Sequence, residues 1–276
     1  MIKQTSAARG PVVLIRGAGE QATGVAWALS KAGYRVVMTE VAQPLMVRWP
    51  VCFGTAIPEK RWEVEGISAE RIINPRECQG LWQKGEIPVI VDPELDYIQD
   101  FSPAVVVDAI LAKRNTGTRR EMAGLVIGLG PGFTAGTDVD LVVETNRGHD
   151  LGRLIYSGSA EPNTGIPGEI AGYSTQRVLY AGLDGRFSAG INIGEHVKAG
   201  EFLGNISGRH CNEDVLAPMD GMLRGLIRTG TLVETGMKIG DIDPRNQKSM
   251  CWSISDKARA LGTAVLLGIL EKKDFM

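Results

Sequence analysis

The sequence predicts an α/β fold: a doubly wound parallel sheet, then a smaller all-β part, then a closing helix. Three observations predict it. Apolar runs recur through the first half, several ending in an acid or a glycine, as strands covered on both faces do. The first run opens directly onto a glycine pair and a helical pattern. The second half is glycine-rich, carries short strand patterns and repeats itself, which suits antiparallel β structure with many turns.

The first strand is PVVLIR, Pro11 to Arg16. Gly17-Ala18-Gly19-Glu20-Gln21-Ala22 follows with G-x-G-x-x-G/A spacing, and Thr23 and Gly24 continue it. Ala22 to Leu29 reads as a small-residue, apolar helix, and Arg35 to Glu40 as a second strand with an acid at its end. Strand, glycines, helix, strand and acid within about 30 residues make a Rossmann-like dinucleotide unit. Gly17 permits the tight turn, Gly19 admits a pyrophosphate close to the backbone, and Ala22 lets helix and strand pack. The helix N-terminus offers N–H groups and a positive dipole end. Glu40 lies where an acid hydrogen-bonds a ribose hydroxyl. Glu20 either caps the helix or points to solvent. A glycine turn without ligand is the plainer alternative.

Further strands are expected at Glu63 to Ile67, Ile87 to Asp92, Ala104 to Asp108, Leu125 to Leu129 and Val139 to Glu144, with a helix at Pro75 to Lys84. Loops that leave the carboxyl ends of parallel strands gather on one edge of the sheet. Three such loops are polar: Asp108 to Asn115 with Lys113 and Arg114, the turn with Gly130 and Gly132, and Glu144 to His149 with Arg147. They are expected to line one cleft with the glycine turn. Asp108, Arg147 and His149 are the catalytic candidates. Arg147 suits bidentate clamping of a phosphate or carboxylate, and His149 suits proton transfer near neutral pH.

The repeat pairs Gly185 to Ile206 with Gly221 to Ile242 at a constant offset of 36 residues. Identities fall at Gly185/Gly221, Ile191/Ile227, Gly194/Gly230, Val197/Val233, Gly200/Gly236, Gly204/Gly240 and Ile206/Ile242. Each copy reads as strand, G-x-x-V-x-x-G turn, strand, and neither buries its apolar face alone. Val215 to Gly221 resembles the V-x-A-P-x-x-G of biotin/lipoyl carriers, which implies a barrel-sandwich hybrid. The connection Ser207 to Asp214 holds no lysine, so no carrier role is expected. Ser255 to Lys273 reads as a helix capped by Ser255. The expected division is 1–160, a dinucleotide-binding domain; 161–250, the hybrid domain; and 251–276, a helix packing back on the first.

A net charge of −2 gives no general drive toward nucleic acid or anionic membrane. No apolar stretch has the length of a membrane span, and the N-terminus lacks an apolar signal region, so a cytoplasmic location is expected. The four cysteines and three histidines show no metal-site spacing, and no metal is expected.

The runs RGAGEQATG, MTEVAQPLMVR, VDAILAKRN, GLGPGFTAGTDVDLVVETNRGHDLGR, GSAEPNTGIPGEI, KIGDIDPR and ISDKARALG resemble the YqeB family of selenium-dependent molybdenum hydroxylase accessory proteins, nearly end to end and in order. Glu20-Gln21 stands where that family has Asp-Leu. The resemblance implies a role in maturing a molybdenum hydroxylase of the xanthine-dehydrogenase type, which would be the partner. A molybdopterin dinucleotide would then sit on Gly17 and Gly19, its charge balanced by Lys113, Arg114 and Arg147. Two alternatives stay open: an NAD(P)-dependent oxidoreductase, for which Glu40 would favour NAD, and a non-catalytic module that docks the hydroxylase. A homo-oligomer is compatible with each.

Overall fold

The computed structural model describes residue 8 and residues 10–272. The chain divides into two units. The first takes its described residues from 1–44, 52–163 and 254–276, and the second consists of 45–51 and 164–253.

In chain order the first unit contains β1 (Val12–Arg16), α1 (Glu20–Lys31), β2 (Arg35–Glu40), α2 (Ala56–Glu59), β3 (Arg61–Val64), β4 (Ile67–Ile72), α3 (Cys78–Gln83), β5 (Ile87–Val91), α4 (Ile98–Phe101), β6 (Val105–Asp108), β7 (Leu125–Leu129), β8 (Thr134–Ala135), β9 (Leu141–Val143), β10 (Leu154–Ile155) and β11 (Gly158–Ser159). The unit ends with α5 (Asp256–Glu271). Every residue of β1 is buried, so the run needs neighbours on both edges and cover on both faces. It pairs in parallel with β2 and with β6. The sheet has nine strands in the order β10-β9-β7-β6-β1-β2-β5-β4-β3.

The expected doubly wound parallel sheet is corrected here to a mixed sheet. Strand β3 is antiparallel to β4, and β10 is antiparallel to β9. The first departure has a local cause. Glu65 and Gly66 take left-handed backbone (φ 46 and φ 76), and this two-residue turn folds the run around residues 63–67 into a hairpin. Helical cover is also sparse. Among the described residues only the helices α1 and α5 are longer than six residues, so the links leaving β6 and β7 are loops and short turns, and the link leaving β5 carries only the four-residue α4. One face of the sheet is closed by Leu14, Val37, Ile90, Val106 and Val126 against Leu81 and Trp82 of α3.

Ser255 caps α5, its hydroxyl accepting from the Ala258 N–H at 3.3 Å. The helix lies directly on α1 with glycine at the contact. A Cβ on Gly24 would fall 2.3 Å from the Ala258 carbonyl oxygen, and one on Gly262 would fall 2.4 Å from the Gly24 carbonyl oxygen.

The second unit contains β12 (Val178–Tyr180), β13 (Gly185–Ala189), β14 (His196–Val197), β15 (Phe202–Ser207), β16 (Asn212–Leu216), β17 (Gly221–Leu226), β18 (Leu232–Val233) and β19 (Lys238–Asp243). They form two antiparallel four-stranded sheets, β12-β19-β17-β14 and β16-β15-β13-β18, which replace the expected barrel-sandwich hybrid. Phe187, Val197, Leu203 and Ile206 from one repeat meet Leu223, Val233, Ile239 and Ile242 from the other in the core. Hydrogen bonds recur at the 36-residue offset. Gly194 N–H donates to Leu223 O and Gly230 N–H to Phe187 O, both at 2.8 Å. Gly200 N–H donates to Ala217 O and Gly236 N–H to Ala181 O, again both at 2.8 Å.

One face of the second copy departs from this symmetry. Asp241 takes ion pairs from Arg177 and from Arg224 (2.9 Å), and Asp243 takes them from Arg224 (3.1 Å) and Arg245 (2.6 Å). Asp241, Asp243, Arg177 and Arg224 are all buried, and pairing is what makes such burial tolerable. The segment 45–51 is held within this unit by Arg48, which donates to Met250 O (2.7 Å) and Ser253 O (3.1 Å).

Candidate functional site

The carboxyl-terminal ends of β1, β2, β6, β7 and β9 share one edge of the first unit's sheet, because these strands are mutually parallel. The loops there touch in series. Gly17, at φ +90, lies against the next loop so closely that a Cβ would be 3.2 Å from the Ile110 Cα. A Cβ on Gly132 would meet the Arg114 backbone at 2.6 Å, and one on Gly130 the Thr145 hydroxyl at 2.5 Å. The three polar loops and the glycine turn are therefore contiguous, and Gly130 and Gly132 join loops to each other.

Several expected ligand residues are instead spent on building this edge. The Glu40 carboxylate accepts from Ala18 N–H and Val41 N–H, both at 2.8 Å, so it braces the glycine turn and is not held out for a ribose. Burial pushes its carboxyl up, and the N–H groups of Val41 and Ala18 pull it down. Thr23 accepts from Phe53 N–H at 2.9 Å, and Gly24 serves the helix contact. Asn115 Oδ1 accepts from Gly117 N–H (2.9 Å) and Thr118 N–H (2.8 Å), organising its own loop. Lys113 and Arg114 are exposed beside it.

The catalytic candidates need the same correction. Asp108 is buried and paired with Arg16 at 3.0 Å, and it also accepts from Thr118 (2.5 Å) and Ile110 N–H (3.1 Å). Glu144 is buried and accepts from Thr145 N–H and Asn146 N–H (both 2.6 Å) and from Glu161 N–H (2.7 Å). Arg147 makes a bidentate pair with Asp256 in the first turn of α5, at 2.8 and 2.9 Å. His149 is exposed. Each acid thus holds a loop, and Arg147 ties its loop to a helix end.

What is left for a ligand is the turn itself. Gly19 takes the N-cap position of α1, no side chain caps that helix, and a Cβ on Gly19 would meet nothing within 4 Å. Ala22 is buried, Glu20 and Gln21 are half-buried, and the Gln21 side-chain oxygen is buried without a hydrogen-bond partner among the described residues. Lys257, in the first turn of α5, completes the surroundings. Burial is the main cause that holds its ammonium below the ordinary lysine range, and Arg147 adds to it. Glu20, Glu144 and Asp256 pull the other way.

Lys257 and Arg16 are the two groups that sequence reasoning missed. Arg16 ends an apolar strand, and its partner lies 92 residues away, so no local pattern marks it. The capping signal at Ser255 was the only available pointer to Lys257, since it fixes which residues stand in the first helical turn.

Among the described residues, no cluster of three or more His, Cys, Asp or Glu could hold a metal ion. No helix among them is long and apolar enough to cross a membrane.

No family model matches the chain. It is 46% identical over 270 residues, 98% of this chain and 49% of the relative, to the uncharacterized protein YqeB of Escherichia coli (strain K12). That match supports the kinship with YqeB that the motifs imply, and the chain spans about half the length of this curated relative. Alignments to solved structures reach the succinylglutamate desuccinylase/aspartoacylase from Rhodobacter sphaeroides (17% identity, TM-score 0.29, 87% of each chain). They also reach the ectoine utilization protein EutE (DoeB) from Ruegeria pomeroyi (10% identity, TM-score 0.27, 84% of this chain and 85% of that one). At such scores neither fold nor activity passes to this chain. The expected role in maturing molybdenum hydroxylases is set aside, with its oxidoreductase and hydroxylase-docking alternatives. The curated relative is uncharacterized, and the solved structures are described as desuccinylase, aspartoacylase or ectoine-utilization proteins.

Proposed function

We propose that the first unit of this YqeB relative binds a nucleotide cofactor through its phosphates, a dinucleotide by the spacing of the glycine turn. The site is the carboxyl-terminal edge of the parallel strands. The observation that carries this reading is Gly19, an uncapped helix N-terminus whose missing side chain faces open space. The 12-residue α1 supplies a dipole end and backbone N–H groups to an anion placed there. Glu40 supports the same reading, because its hydrogen bond to Ala18 N–H fixes the turn in advance of binding. Lys257 adds a cation within electrostatic reach of Glu20, and on binding it would exchange that carboxylate for phosphate oxygen.

Calorimetric titration with NAD, ADP and adenosine tests the reading. NAD and ADP bind, and adenosine, lacking phosphate, binds at least about tenfold more weakly, a difference of about 1.4 kcal/mol. Gly19→Val places carbon in the anion path and weakens NAD and ADP by a similar factor while the protein stays folded. Equal affinity for adenosine and ADP, or an unchanged affinity in Gly19→Val, overturns the proposal.

A further inference from the structure

The second unit contains a cavity of about 280 Å³ that the glycine-turn reading does not involve. All its lining residues belong to that unit. It is built from matching positions of both repeats. Ile191, Asn192 and Ile193 come from the first copy, and Ile227, Arg228 and Thr229 stand at the same places in the second. A cavity walled by equivalent residues of two symmetry-related copies lies between them, so it occurs once in the unit and not twice.

The copies agree on the floor and differ on the walls. Ile191 and Ile227 are identical, and Ile193 and Leu226 extend the apolar surface. Asn192 is replaced by Arg228, and Ile193 by Thr229, so one wall is cationic and hydrogen-bonding. Two tryptophans from outside the repeats line the cavity. The Trp49 ring lies under the Arg228 guanidinium, 4.7 Å from ring centroid to the guanidinium carbon. Trp252 is 47% exposed, although a ring of that size normally buries itself. Gly194 makes room for it, since a Cβ there would be 3.3 Å from the ring.

The polar inventory sets the charge of what fits. Among the described residues lining the cavity, Arg228 is the one charged side chain, and none is a carboxylate. Thr229 Oγ already accepts from Ala189 N–H at 2.9 Å, which leaves its hydroxyl hydrogen to donate. One N–H of the Asn192 amide is taken by Glu195 at 2.9 Å, which leaves its second N–H as a further donor. Two indoles and an isoleucine floor match a flat apolar body, and a cation with a hydroxyl donor matches an anionic edge. The volume lies at the low end of ligand sites and suits a single ring better than a nucleotide.

We propose that this cavity binds a small planar ring carrying a carboxylate, held between Trp49 and Trp252 with its carboxylate on Arg228 and Thr229. Benzoate and its neutral isostere benzamide are the probes, titrated into the full chain by calorimetry and by ligand-observed saturation-transfer NMR. Benzoate binds at least tenfold more tightly than benzamide. Arg228→Met lowers benzoate affinity to that of benzamide and leaves benzamide unchanged, whereas Trp252→Ala weakens both. Trp252 is half-exposed, so Trp252→Ala is expected to stay folded, with a melting temperature somewhat below the wild-type value. Should Arg228→Met lower that temperature, Thr229→Val serves in its place and is expected to weaken benzoate alone. Equal affinities for the two probes, no binding of either at millimolar concentration, or undiminished benzoate affinity in a folded Arg228 or Thr229 variant each overturn the proposal. Failure of NAD and ADP to bind leaves this result untouched, because the two sites share no residue.

Discussion

Replacing Gly24 by alanine sets two preferences of a helix against each other. Gly24 sits inside α1, where alanine is favoured over glycine by about 1 kcal/mol. Packing opposes the change. The new Cβ would lie 2.3 Å from the Ala258 carbonyl oxygen, 2.6 Å from its carbonyl carbon and 2.8 Å from its Cβ. The first distance falls about 1 Å short of ordinary van der Waals contact. The obstacle is mainly backbone, so no side-chain rotation relieves it, and α1 and α5 must separate. Overpacking of this kind costs about 1–3 kcal/mol, occasionally more. Gly262 holds the reciprocal position, 2.4 Å from the Gly24 carbonyl oxygen, so the contact is tight from both sides and the upper part of the range applies. After the helix-propensity gain, Gly24→Ala is expected to destabilise the first unit by about 2 kcal/mol, or about 4–8 °C in Tm. Gly80→Ala is the internal control. Gly80 is an exposed residue of α3 with nothing within 4 Å of the added carbon, and the change is expected to be neutral or stabilising by up to about 1 kcal/mol. Urea unfolding followed by circular dichroism measures both. A Gly24→Ala protein as stable as the wild type would refute the argument that bare backbone contact sets the α1–α5 distance.

Two other outcomes are expected. Asp108→Ala leaves Arg16 buried without its counter-charge, which costs about 3–5 kcal/mol, and a urea midpoint close to the wild-type value would show that the pair is not holding β1 to β6. Hydrogen bonds and ion pairs from Arg245 and Arg224 overcome burial and hold the Asp243 carboxyl down at about 2, against an ordinary value of 3.8. A depressed folded-state value stabilises the protein above the unfolded-state value, and that contribution is lost as pH falls through the folded-state value. Wild-type protein should therefore lose stability between about pH 4 and pH 2, and Asp243→Asn should flatten that limb of the acid-unfolding curve.

Local patterns carried the reading of the first 40 residues. The run from Val12 to Arg16, the glycines and the amphipathic stretch to Leu29 name strand, turn and helix through hydrophobic period and turn chemistry, and β1, α1 and β2 stand there. The edge strands were not legible, because the turn at Glu65-Gly66 falls inside what reads as one short strand. The polar loops were located at the right edge of the sheet, but their residues were misjudged for a physical reason. An acid at a strand end has the same appearance whether it meets a ligand or accepts backbone N–H groups, and Glu40, Asp108 and Glu144 all do the second. Arg147 paired with Asp256 across 109 residues, a separation that no spacing rule reaches. That the segment 45–51 belongs with the second unit was not legible for the same reason, since its bonds run from Arg48 to Met250 and Ser253.

The order in which the first unit's parts leave the ribosome follows from the α1–α5 contact. Among the described elements, α1 is the first helix to be translated, and α5, against which Gly24 lies, follows all the others. All of residues 164–253 are synthesised between the sheet and the helix that completes it. Through that interval the nascent first unit exposes the small-residue face of α1, together with the apolar strands that α5 later covers, and such surface invites aggregation or chaperone capture. Synthesis of α5, rather than completion of the sheet, is then the event that lets the first unit reach its final packing.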